Sequence, residues 1–279
     1  MALDPERLVS RPPIVTRQTL TRRDTILYAL GVGEDGLDFV FEERLKALPT
    51  MAVVMSYPGF IWRDPALGVD WKKILHGEQA LEIFAPLPVE GEIVGETTID
   101  ALIDKGADKG AIAYVTRKIS DGAGKPLATV RAATFLRGDG GFGRNLGTAP
   151  ASLPGVPDRA PDETLMLTTA KNQALIYRLS GDYTPLHIDP EVAAAGGFKA
   201  PILHGLCTYG FGGRAILAGL CAGDPSRLKR LDVRFTTPVF PGETLETQIW
   251  RTGEGTASFR TRIVERDLLA LNNGYVEFK

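Results

Sequence analysis

The apolar residues of this chain fall into two patterns. The first is one long run, GLCTYGFGGRAILAGL at 205–220, with apolar side chains on almost every face despite four glycines after Gly205. That pattern predicts a buried helix whose small residues let a sheet come close to its backbone. The second is a series of short, strand-like segments bounded by Gly, Pro and Asn: 231–236, 245–251, 257–265, and 268–278 around an Asn272-Asn273-Gly274 turn. The first half of the chain reads alike, with 51–57 as the start of a shorter helix and strands at 80–84, 93–104, 112–120 and 127–136. Antiparallel strands wrapped on one central helix, twice over, is the expected α+β architecture. Residues 137–161, rich in Gly and Pro, read as a linker between a repeat at 1–136 and another at 162–279.

Three landmarks support the duplication. Phe84 opens a segment that ends in Gly91-Glu92, and Phe235 opens one that ends in Gly242-Glu243, 151 positions later. Tyr28-Ala-Leu and Tyr177-Arg-Leu stand 149 apart, and Pro49 and Pro201 stand 152 apart. A further match misleads. Ile-Leu-His-Gly occurs at both 74–77 and 202–205, an offset of only 128, so His76 and His204 are read as non-equivalent. In the longer register Asp182 falls opposite Gly33, and no histidine lies opposite His187. The first half keeps the architecture without the chemistry.

That chemistry is concentrated in GDYTPLHIDP at 181–190. Pro185 and Pro190 each remove a backbone donor and push the preceding residue towards extended conformation, so Asp182, His187 and Asp189 sit on a rigid irregular loop. A fixed loop can aim a carboxylate and an imidazole at one reacting centre, as general acid–base catalysis requires. A turn in which Asp182 caps the following segment and His187 is a satisfied, half-buried histidine accounts for the same residues. Asp189 before Pro190 fits a helix cap near Glu191. A metal site from His187, Asp189 and His204 matches no recognised ligand spacing.

Composition narrows the class. The chain has 279 residues, 44% hydrophobic and 24% charged, with a formal net charge of −2. It therefore has no general attraction for nucleic acid or anionic membrane, and any polyanionic ligand needs a local cluster of Lys and Arg. Only Cys207 and Cys221 occur, which fits a reducing compartment. With no signal-peptide stretch and no apolar run long enough to span a bilayer, the expected setting is a cytoplasmic enzyme.

The segment YRLSGDYTPLHIDPEVAAAGGFKAPILHGLCTYG at 177–210 resembles the signature of the hydratase 2 family, the (R)-specific 2-enoyl-CoA hydratases with MaoC-like domains. YALGVG near Tyr28, LPT at 48–50, ILHGEQ at 74–79 and FLRGDGGFG at 135–143 extend the likeness over nearly the whole chain. The resemblance implies a double hot-dog fold: a degenerate N-terminal repeat beside a catalytic C-terminal one. It also implies an intrachain pseudo-dimer that could associate further into a homodimer. The implied reaction is reversible hydration of a trans-2-enoyl-CoA to the (3R)-3-hydroxyacyl-CoA, as in fatty acid β-oxidation. Coenzyme A enters as part of the substrate, with no separate cofactor.

On this reading Asp182 and His187 match the two catalytic positions. His187 accepts a proton from water, and Asp182 orients that water and returns a proton to Cα. Gly205 matches the family's oxyanion donor, at a helix start where free N–H groups point outward. Thr184 stands where the family commonly has Asn, and reads as a loop-stabilising hydroxyl or a second contact to the water. Lys199, Arg234, Arg137 and Arg144 are the candidates for coenzyme A phosphates, and Tyr57, Phe60 and Trp62 for an acyl tunnel. Two other classes remain: a hot-dog thioesterase, against which stands the lack of Asp or Glu from Gly205 to Gly223, and a non-catalytic acyl-CoA-binding subunit.

Overall fold

The computed structural model describes residues 3–279. The first half comprises α1 (Pro5–Val9), β1 (Ile14–Leu20), α2 (Arg22–Gly31), α3 (Leu37–Val40), β2 (Ile74–Ile83), β3 (Gly91–Asp104), β4 (Ala111–Asp121) and β5 (Pro126–Leu136). The second comprises β6 (Glu163–Thr168), α4 (Gln173–Tyr177), α5 (Pro190–Ala195), α6 (Gly205–Cys221), β7 (Leu228–Phe235), β8 (Thr244–Gly253), β9 (Thr256–Ile263) and β10 (Leu268–Phe278). Local chemistry sets several of these boundaries. Thr21 and Asp24 form a reciprocal capping box that starts α2. Asp189 starts α5 by accepting from the Glu191 and Val192 amides, with Pro190 in the first turn, where its missing N–H costs nothing.

All ten strands form one antiparallel sheet in the order β1-β3-β4-β5-β2-β7-β10-β9-β8-β6. The second five strands repeat the order of the first five in reverse, so the two halves are related about the β2–β7 seam. There Glu78, Ala80 and Glu82 face Arg234, Asp232 and Arg230. This is the double hot-dog arrangement. The paired Tyr residues of the repeat meet across it, with the Tyr28 and Tyr177 rings 6.1 Å apart and both fully buried.

α6 lies in the concave face of the sheet, and its apolar circumference is explained by neighbours on every side. Tyr209, Phe211, Ile216 and Leu220 are buried in a continuous core with Leu231, Ile249, Phe259 and Val276 of the strands and Tyr28 and Met55 of the first half. Each such side chain contributes about 1.5–3 kcal/mol. Close approach requires its glycines. A Cβ on Gly210 would overlap Val32, and one on Gly213 would stand 2.5 Å from Thr50 Cγ2.

Two expectations are corrected. Residues 51–57 do not begin a helix; a 3₁₀ turn at Pro49–Val53 ends at once and the chain reverses at Ser56, φ 46°. Val53 and Val54 are stiff at χ1, and Pro58 excludes Tyr57 from the helical region, so nothing propagates the turn. Only the second half keeps a central helix. Likewise Asn272–Gly274 is a bulge inside a continuous β10, not a hairpin turn. β7 and β9 hold both flanks of the strand, Asn273 absorbs the extra residue at φ 52°, and Gly274 leaves room for the Phe259 ring.

The edge strands β1 and β6 carry no clear sequence signal. Each alternates between half-buried and exposed positions, with polar residues on both faces. A second, smaller core joins Leu8 of α1 and Trp62 and Leu67 of the 61–67 segment to Leu102 and Leu136.

Candidate active site

The loop between α4 and α6 places the titratable residues. Thr184 lies before a 3₁₀ turn at Pro185–His187, and that turn swings the imidazole back towards Asp182. A carboxylate oxygen of Asp182 and ring nitrogens of His187 and His204 all lie within 4.8 Å of one another. One water can bridge that gap between Asp182 and His187 with two bonds of about 2.8 Å.

The protonation states follow from the partners. His187 Nδ1 lies 2.9 Å from the Ile202 carbonyl, which can only accept, so Nδ1 carries the proton and Nε2 keeps its lone pair. Burial pushes the His187 pKa down, although the Ile202 bond and the Asp182 charge oppose it, so the ring is neutral at pH 7. For Asp182, burial pushes the carboxyl up, yet the Thr184 hydroxyl (2.7 Å) and amide (3.1 Å) on Oδ1, with the two imidazoles, outweigh it and leave it below the usual value. The pair is therefore a carboxylate and a neutral base.

His204 is the fastener of the site. It is 1% exposed, precedes the first residue of α6, and donates from Nε2 to the backbone carbonyl of Asp182 at 3.1 Å. Its ring stacks on His187 with centroids 3.7 Å apart and planes at 25°, and packs 5.0 Å from Tyr177. Ring lone pairs lie in the ring plane, so two nearly parallel imidazoles cannot direct theirs at one nearby ion. The cluster does not have the convergence a metal needs. Burial and the neighbouring His187 push the His204 pKa down to about 4.

α6 supplies the electropositive end. No side chain caps it, and among the described residues the Gly205 and Leu206 amides meet no acceptor, while Gly205 is exposed. The Phe235 ring stands 3.5 Å from where a Gly205 Cβ would be. His76 of β2 packs 4.8 Å from the same ring. Burial pushes His76 down to about 4 against the opposing charge of Asp182, so the first half contributes to this centre. Tyr57 does too, its hydroxyl pushed up to about 12 by burial and by the Asp182 charge.

The other candidates have partners of their own. Arg234 makes two bonds to Glu78, Arg144 pairs with Glu6 at 2.6 Å, and Arg137 reaches the Lys73 carbonyl. Lys199 and Arg266 both lie against the Phe240 ring, at 4.7 Å and 5.1 Å from its centroid. Phe60 meets Trp71 edge-on at 6.4 Å, and Trp62 belongs to the smaller core. Asp189 caps α5. Arg117, on a strand of the first half, is no candidate by sequence motif, although its alternation with Val115 and Ile119 marks it as inward-facing. The position opposite Asp182, Gly33, is closed off: a Cβ there would strike Phe211 and Arg214, and Arg214 pairs with Glu34 at 3.0 Å.

Comparison with known proteins identifies the family of the chain. Residues 19–138 match the MFE-2 hydratase 2 N-terminal domain and residues 152–273 the MaoC like domain. The chain is 41% identical to a probable enoyl-CoA hydratase 2 of Dictyostelium discoideum, over 98% of this chain and 96% of that one. It is 41% identical to the 3-hydroxyacyl-thioester dehydratase Y of Mycobacterium tuberculosis, over 100% and 99%. A crystal structure of a MaoC-like dehydratase from Phytophthora capsici superposes with a TM-score of 0.89 at 36% identity, over 98% of each chain. With both halves matched by family models and full-length relatives at 41% identity, the chain belongs to the hydratase 2 family of MaoC-like proteins.

Proposed function

We propose that this protein reversibly hydrates trans-2-enoyl-CoA thioesters to (3R)-3-hydroxyacyl-CoA, with its catalytic groups on residues 162–279 and the first repeat as the acyl-side wall. The observation that carries the proposal is the approach of Asp182 and His187 to within 4.8 Å, with Nε2 of His187 unprotonated. Water held between them loses a proton to Nε2 as its oxygen bonds to Cβ. The displaced π electrons move through Cα to the thioester oxygen, where the Gly205 amide stabilises the charge; one such donor contributes about 3–4 kcal/mol. The enolate then collapses and takes one proton at Cα on the same face. Since Asp182 remains ionised, that proton comes from the imidazolium of His187, and the carboxylate orients the water and stabilises the cation. This differs from the expected return of a proton by Asp182. In reverse, the same groups dehydrate the hydroxyacyl thioester.

Thr184 serves in this scheme by holding Oδ1 of Asp182, which leaves the other carboxylate oxygen for water. Lys199, which shares the Phe240 ring with Arg266, is the remaining candidate for a coenzyme A phosphate. A thioesterase needs a carboxylate placed against the thioester carbonyl, and α6 carries none. The test is to follow loss of conjugated thioester absorbance with crotonyl-CoA and to resolve the product enantiomers. Free thiol release without hydration, or a (3S) product, would overturn the proposal. No helix among the described residues is long and apolar enough to cross a membrane, and both cysteines are free and buried. Residence in the cytoplasm belongs to the same proposal, and cell fractionation tests it, since one relative, from Arabidopsis thaliana, is named a peroxisomal enoyl-CoA hydratase 2.

A further inference from the structure

The inner face of the degenerate half holds a cation with no counter-ion. Arg117 on β4 is 6% exposed. Its Nη2 donates to the carbonyls of Ala52 (3.3 Å) and Val53 (2.6 Å) at the end of the 3₁₀ turn, and its Nε meets no acceptor. Burial pushes its pKa down to about 10, so it is charged at pH 7, and no carboxylate among the described residues offsets that charge. Directly across the β3–β4 pairing is Thr97, 4% exposed, whose hydroxyl is also without a partner. The Tyr57 ring covers the guanidinium at 5.4 Å, and Tyr57 itself is 40% exposed and within the field of Asp182. One aromatic side chain thus covers the buried cation and feels the charge of the proposed catalytic carboxylate.

Capping two carbonyls requires two donors, which a neutral amide supplies. A buried guanidinium without an anion is costly, by several kcal/mol. Two unpaired polar groups buried on neighbouring strands, one of them under Tyr57, call for an acceptor that arrives with the ligand. An alkyl chain extending from Cβ past Tyr57 would leave both unpaired, whereas a chain ending in a carboxylate satisfies both and neutralises the charge.

We propose that Arg117 and Thr97 form the distal end of the acyl site and bind a carboxylate at the far end of the acyl chain, so that the preferred substrates are ω-carboxy-2-enoyl thioesters. This rests on the hydratase reading above, and plain enoyl-CoAs serve as the control that separates the two. The experiment measures kcat/KM for matched plain and ω-carboxy trans-2-enoyl-CoAs over a ladder of chain lengths, for the wild type, Arg117→Met and Thr97→Val. At the length that reaches Arg117 the wild type favours the carboxy substrate by roughly ten- to a hundredfold, mostly through KM. Arg117→Met, which keeps the aliphatic stem, brings the carboxy-to-plain ratio at that length down to about one, and Thr97→Val reduces it.

A wild type that prefers plain chains at every length overturns the inference, as does an Arg117→Met enzyme that keeps the preference or loses both activities in proportion. If Arg117→Met fails to fold, the wild-type ladder and Thr97→Val decide, and an undiminished preference in Thr97→Val is contrary. Absence of hydration with plain chains would instead remove the hydratase reading itself.

Discussion

Asp182 and His187 are useful because each is held by something other than its partner. Thr184 fixes one oxygen of the carboxylate, and the Ile202 carbonyl fixes the imidazole tautomer. Asp182→Asn and His187→Ala should each lower kcat/KM by roughly 10²–10⁴-fold with the melting temperature little changed, measured on crotonyl-CoA and by circular dichroism. Activity near wild type in either variant would leave the proposed water without its base. The Thr184 hydroxyl has a separate signature. Two bonds from Thr184 offset burial and keep the Asp182 pKa low, so removing one allows the carboxyl to protonate at a higher pH. Thr184→Val should raise the pH at which the Asp182 carboxyl protonates, followed by carbon NMR of that side chain, with the kcat/KM plateau less affected. Thr184→Asn should preserve activity, and an Asp182 titration that stays in place in Thr184→Val would mean that the hydroxyl acts elsewhere.

α6 combines two demands at one end. It starts without a side-chain cap, which leaves free amides, and it starts with Gly205, which leaves space beside Phe235. Since Gly205 is the first helical residue and His204 before it is extended (φ −58°, ψ 135°), proline is compatible with the helix at this position. Gly205→Pro therefore deletes one N–H and little else. It should reduce kcat by about 10²–10³-fold with α6 intact, while Gly205→Ala, whose Cβ makes an ordinary 3.5 Å contact, should retain most activity. Equal losses in the two variants, measured by steady-state kinetics beside thermal melts, would show that space at this position matters and the amide does not.

Duplication followed by divergence shapes the molecule. One half keeps the helix and the acid–base loop, and the other has a truncated turn, a closed-off counterpart at Gly33 and a wall against the working site. All three histidines, His76, His187 and His204, converge near that site from both halves, and burial lowers each of their pKa values. In the unfolded chain they take up protons below about 6.5, whereas His76 and His204 resist until about 4. Stability is therefore present above pH 6.5 and is lost as pH falls towards 4. The melting temperature should drop across that window, and less steeply in His76→Asn. A flat profile would contradict the buried, neutral state of these rings.

Much of this was legible in one dimension because the signals are local. Two prolines confined the 181–190 loop, an apolar run too continuous for a surface helix marked α6, and repeated Gly-Glu turns gave away the duplication. Each depends on backbone restriction or periodicity within a few residues. What stayed hidden involves partners distant in sequence. The bulge at Asn272–Gly274 exists because β7 and β9 both bond to its flanks. The segment at 51–57 stays a short turn although Met51, Ala52, Val53 and Met55 are packed in the core, because Arg117 of a distant strand takes the Ala52 and Val53 carbonyls that a longer helix would use. Arg137, Arg144 and Arg234 look like free cations until Lys73, Glu6 and Glu78 come within bonding distance. Arg117 gains its interest only once folding has surrounded it with groups that cannot neutralise it. Local rules place a residue on a strand or a loop, but long-range packing fixes which charge is buried, which proton is held, and which cavity a side chain faces.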